Sequence, residues 1–162
     1  MNEQFLTATP KRNPSGAIEW TLSHGTKSGG HGHFPSVALL KKSGAHHFTI
    51  SIGPDRLGIE FSKDPLWIHE GSTCPTQSGI DSAQIKGFKR LNDTQIFFTD
   101  LNKGDAVDLW YQLNFVDGDG KPVTPLDPEI KNGGGTGNLY TAVFVLAAAA
   151  ALAYVAYFAF YK

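Results

Sequence analysis

The chain predicts an all-β domain, an antiparallel β-sandwich of roughly seven or eight short strands, followed by one C-terminal transmembrane α-helix. Three observations carry this expectation. Apolar and polar residues alternate in short runs along residues 16–121, with turn residues between them at roughly 8–12-residue spacing. That region offers no convincing amphipathic helix to cover a sheet. Leu139 to Tyr161 then contains no charged residue, and Thr141–Tyr161 reads TAVFVLAAAAALAYVAYFAFY.

Taken in order, residues 1–15 are polar and contain Pro10 and Pro14, which predicts an N-terminal arm or edge segment. Ile18, Trp20 and Leu22 begin the alternation, and Val37 and Leu39 resume it after a Gly-rich loop. Phe48, Ile50 and Ile52 make the next run, and Gly53-Pro54-Asp55 supplies the turn toward Leu57, Ile59 and Phe61. Leu66-Trp67-Ile68 is a short apolar run. Ile85 and Phe88 lead across Asn92-Asp93 to Ile96 and Phe98. The clearest strand is Leu109, Tyr111, Leu113 and Phe115, with Asp108, Trp110, Gln112 and Asn114 on its other face. Residues 122–138 change character: Pro122, Pro125 and Pro128 favour an extended path, and Gly133, Gly134, Gly135 and Gly137 make a flexible linker.

The final segment, 139–162, has the length of a membrane span. At 1.5 Å rise per residue it covers about 30 Å, the thickness of a bilayer's hydrocarbon core. A helix facing water on one side would need a polar stripe, and this one has none. Tyr154, Tyr157 and Tyr161 stand where interfacial aromatics meet lipid headgroups. At 100° per residue Ala142, Ala149, Ala153, Ala156 and Ala159 share one side, a packing face on which another helix backbone can come close. The N-terminus lacks the roughly 7–15-residue apolar stretch of a secretory signal, so the domain is expected on the cytosolic side of the cell membrane.

Composition narrows the function classes. With 14 basic and 15 acidic residues and a net charge of −1, no basic field marks nucleic acid as a partner. A single cysteine, Cys74, excludes an intramolecular disulfide. His31-Gly32-His33 and the pair His46-His47 have metal-ligand residue types, but no cysteine or carboxylate cluster completes a set in sequence. Asp117-Gly118-Asp119-Gly120 shares the first positions of an EF-hand loop yet continues Lys-Pro-Val, so it reads as a hairpin turn. The G-x-S-x-G, Walker A, G-x-G-x-x-G and H-E-x-x-H patterns are all missing. No metal, cofactor or enzymatic activity is therefore expected. Trp110, out of phase with the core stripe, is the expected anchor for a protein interface. The sequence thus points to a non-catalytic accessory subunit, tail-anchored beside the transmembrane helices of other subunits. The alternative is a membrane-tethered module binding a peptide or saccharide, with Ser28–Phe34 as its recognition loop.

Overall fold

The computed structural model describes residues 2–25, 27–30, 37–39, 42–54, 57–71, 73–103 and 108–132. These form two mixed β-sheets enclosing one apolar core, a sandwich-like arrangement, and among the described residues there is no helix. The first sheet runs in the order β3 (Lys27–Gly30), β2 (Ile18–His24), β1 (Asn2–Arg12), β5 (His46–Ile52), β9 (Gln95–Asp100), β8 (Ile85–Asn92). The second runs β4 (Val37–Leu39), β12 (Glu129–Asn132), β10 (Asp108–Val116), β6 (Glu60–Glu70), β7 (Ile80–Asp81), with β11 (Pro122–Leu126) also paired to β10.

Two features differ from the sequence expectation. There are twelve strands among the described residues, and the sheets are mixed rather than antiparallel. The parallel pairs β1–β5, β12–β4 and β6–β7 join segments that no local turn signal connects. Strands β3, β4 and β7 have four, three and two residues, too few for alternation to register.

Residues 2–12, expected as an arm, form an inner strand between β2 and β5. Leu6, Ala8 and Pro10 point into the core while Thr7 and Thr9 point away. Pairing with β5 stops at Ala8, so Pro10 lies where β1 has a neighbour on one side only, a position that tolerates its missing N–H. Much of the expected linker is strand as well. β11 and β12 lie end to end along β10, broken at Asp127-Pro128, where the Tyr111 N–H donates to the Pro128 carbonyl at 3.2 Å.

The core is built on aromatic stacks that cross between the sheets. Trp20 from the first sheet lies 4.0 Å from Phe115 of the second, and Phe115 in turn stacks on Phe61 at 5.2 Å. Phe48 and Phe98 stack at 5.0 Å, and Phe98 meets the edge of Tyr111 across the interior. Each such side chain contributes roughly 1.5–3 kcal/mol through burial. The Asp117 turn closes the β10–β11 hairpin as expected. Its carboxylate accepts from the N–H groups of Asp119 and Lys121 at 3.0 and 2.9 Å, and Gly120 supplies the left-handed φ of 76°.

Candidate functional site

One end of the sandwich gathers the start of β1, the loop before β5, the end of β9 and the end of β12. Pairing fixes this: Asn2 faces His46, His46 faces Asp100, and Leu39 faces Asn132. Strand alternation sends His46 inward and His47 outward. His47 stacks on Phe97 at 5.9 Å and shares a 3.0 Å hydrogen bond with Thr99 on the outer face. The two imidazoles therefore serve different environments and make no shared metal site. Among the described residues no three metal-ligating side chains cluster. His31 and His33 lie outside the described residues.

His46, only 6% exposed, is the centre of a polar chain. Its Nε2 is 2.7 Å from Ser43 Oγ, and its Nδ1 is 3.2 Å from the Gln4 amide nitrogen. Gln4 Oε1 is 2.8 Å from His24 Nε2. Ser43 Oγ also accepts from Asn102 Nδ2 at 2.8 Å, and the Asn102 N–H donates to Asp100 Oδ1 at 2.9 Å. With Gln4 in this orientation its nitrogen donates to Nδ1, so the imidazole carries its proton on Nε2 and donates to Ser43.

Backbone strain converges on the same point. Lys42 (φ 55°) and Asn102 (φ 43°) are the non-glycine residues with left-handed φ among the described residues. One precedes Ser43 and the other holds its hydroxyl; Gly44, with φ 88°, follows it. Such conformations cost of order 1–3 kcal/mol and persist where surrounding contacts enforce them. Beside Ser43 an open cleft of about 500 Å³ is lined by Asn2, Glu3, Gln4, Leu39, Ser43 and His46.

Behind this chain sits a buried acid. Asp100 is fully enclosed, its Oδ2 has no hydrogen-bond partner, and the amide of Asn132, 2% exposed, makes none either. Burial raises the Asp100 pKa, and the Asn102 N–H, the nearby Asn132 amide and His46 oppose the rise; the charge of Glu70 adds to it. Burial pushes His46 the other way, below the ordinary imidazole value, with Asp100 opposing and His47 assisting. Cys74 is half-buried; desolvation and the Asp127 carboxylate raise its pKa, so it stays a thiol and a poor nucleophile.

Trp110 lies on the outer face of the second sheet, between His69 on β6 and Glu129 on β12. The ring is half-buried, and its Nε1 is buried without a hydrogen-bond partner. Ala142, Ala149, Ala153, Ala156 and Ala159, with Tyr154, Tyr157 and Tyr161, lie outside the described residues. Among the described residues no helix is long and apolar enough to cross a membrane.

Sequence reasoning noticed His46 only as half of a histidine pair. It missed Ser43, Gln4 and Asn102, which join His46 or one another across separations of up to 59 residues in single hydrogen bonds, and the buried Asp100 and Asn132 behind them. The one local signal was Ser43-Gly44 three residues before a strand histidine. No protein-family model matches the chain, and no curated protein resembles it detectably.

Proposed function

We propose that this chain is an accessory subunit of a membrane protein complex, held by its C-terminal apolar segment. The uncharged stretch from Leu139 to Tyr161 is the observation that carries the reading. The fold adds a geometric support: β12 ends at Asn132, at the same end as Asn2, Ser43 and Asp100. Residues 133–138 reach at most about 20 Å when fully extended. In this reading that end of the domain faces the bilayer, and the turns at Asn13–Gly16 and Asp117–Gly120, at the other ends of β1 and β10, point away from it. The domain stands on the cytosolic side, Ala149 and Ala153 pack against neighbouring transmembrane helices, and the half-buried Trp110 on the outer face of the second sheet meets a partner.

Purification from native membranes in mild detergent tests this. Stoichiometric co-migration with other membrane proteins is expected, and Ala149→Leu with Ala153→Leu should deplete the chain from the complex. Tyr154→Leu with Phe158→Leu, on the opposite side of the helix, should matter less. A chain that runs alone, with both pairs silent, sinks the subunit reading.

A tethered binding module is the second reading, and one surface favours it. Phe5 is 64% exposed on the outer face of the first sheet, in a row with Thr49 and Phe97, beside His47 and Thr99. Aromatic and hydroxyl groups on one sheet face, bordered by Lys86, Lys89 and Glu3, suit a saccharide or an extended peptide.

A further inference from the structure

The polar chain at the bilayer-facing end serves neither reading. We propose that Ser43 is a nucleophile toward carboxylic esters, with His46 as its general base and Gln4 as the residue that sets the imidazole's polarity. The three stand in the order such chemistry needs: a hydroxyl 2.7 Å from an imidazole nitrogen, and a third group on the other nitrogen. Ser43 sits between two residues with left-handed φ, Lys42 and Gly44, and lines the cleft. Its Oγ is further aligned by Asn102. Among the described residues no carbonyl accepts from the backbone N–H of Gly44 or Ala45. These donors directly follow the nucleophile, the position from which backbone N–H groups stabilise a developing oxyanion.

In the orientation described, Gln4 holds His46 as a donor toward Ser43, which is a resting arrangement. A half-turn of the Gln4 amide exchanges its oxygen and nitrogen, and with it the neutral imidazole gives up its Nε2 proton to water in the cleft and takes one on Nδ1, which reverses the chain. Oε1 then accepts from Nδ1–H, and Nε2 is left with a lone pair for the Ser43 hydroxyl. His24, on the far side of Gln4, takes the amide N–H in place of donating to the oxygen. All the same atoms stay within hydrogen-bond distance in both arrangements.

The reaction follows in two balanced halves. Ser43 Oγ bonds to the ester carbonyl carbon as His46 Nε2 takes its proton. The bond to the alkoxy oxygen breaks, and His46 returns that proton to the departing alcohol, leaving an acyl group on Ser43. Water then attacks the acyl carbon and gives a proton to His46. The acyl–Oγ bond breaks, the acid leaves, and Ser43 recovers its proton. The charged groups around His46 are Asp100 on β9, Glu3 at the cleft rim on β1, and His47 next to it on β5. Lys42 flanks Ser43 in the loop. The inference does not depend on the membrane reading.

The test uses the full chain in mild detergent with a fluorophosphonate, in which phosphorus takes the place of the carbonyl carbon and fluoride leaves. Peptide mass spectrometry should find the adduct on Ser43, and Ser43→Ala should lose it. Labelling should rise with pH as His46 loses its proton, within about pH 5–8. His46→Gln should slow it by roughly 10²-fold or more. Gln4→Glu, whose carboxylate accepts only, fixes the active tautomer; labelling should speed up and its pH rise should move upward. Gln4→Leu should slow it. p-Nitrophenyl acetate should release nitrophenol faster with the wild type than with Ser43→Ala. An unlabelled Ser43, or labelling flat across that pH range, overturns the proposal. If His46→Gln lowers the urea midpoint, the wild-type pH profile and the Gln4→Glu shift decide alone.

Discussion

Trp20 ties the first sheet to the second through a single carbonyl: its indole Nε1–H donates to the backbone oxygen of Thr124 at 2.7 Å. The same ring stacks on Phe115, so one side chain supplies both a directional and an apolar link between the layers. Trp20→Phe keeps an aromatic ring against Phe115 but abandons the Thr124 carbonyl and leaves space behind. A loss of about 1–3 kcal/mol is expected in urea unfolding. Thr124→Ala, which leaves the carbonyl in place on an exposed residue, should stay within about 0.5 kcal/mol of the wild type.

Gly53 sits where two threonines leave no room. A Cβ there would stand 2.5 Å from Thr9 Oγ1 and 3.2 Å from Thr7 Cγ2, while the Gly53 N–H donates to the Ala8 carbonyl. Gly53→Ala should therefore destabilise the domain by about 1–3 kcal/mol. Combined with Thr9→Ala, part of that loss should return, and a double-mutant cycle measures the coupling. Additive losses would show that the crowding is relieved elsewhere.

Asp100 and His46 make stability depend on pH in opposite directions. The folded pKa of Asp100 is raised, so its contribution is complete below the unfolded aspartate value and is lost as pH rises through the folded one. The folded pKa of His46 is lowered, so its contribution is complete above the unfolded histidine value and is lost as pH falls through the folded one. Asp100→Asn should thus gain on the wild type as pH increases from about 4, and His46→Gln should narrow the wild type's loss on acidification. Urea midpoints across pH read both, and parallel curves for wild type and variants would refute the linkage.

Truncation after Asn132 should leave a β-rich domain that unfolds cooperatively, because all twelve described strands and the described aromatic core lie at or before that residue. Circular dichroism and sedimentation check it; aggregation or a mainly helical spectrum would show that later residues belong to the fold.

The sequence was most readable where one strand packs one face. Alternation located β10, β5 and β9 because Leu109 to Phe115, Phe48 to Ile52 and Ile96 to Phe98 each bury every second side chain, whereas β8 buries only Ile85. It failed for β1, whose inward set is Leu6, Ala8 and Pro10. A small residue and a proline give little apolar contrast, and the strand's place rests on a parallel partner some forty residues away. The Ser43 cluster was illegible for a related reason: hydrogen bonds among Gln4, Ser43, His46 and Asn102 leave no periodic trace. The Asp117 turn was readable because all its partners lie within four residues.

The parallel pairing of β4 with β12 also sets an order in time. Leu39 meets Asn132, so an early strand waits for one made more than ninety residues later. Long-range pairings of this kind close slowly, since the intervening loop's entropy is lost before any contact repays it. The loop carrying Ser43 leaves directly from β4 and rests against Asn102. A molecule in which β12 has not docked would hold most of its core yet leave β4, whose Leu39 lines the cleft, without its partner strand. A fully walled cleft beside Ser43 thus belongs to the chain with its last described strand in place.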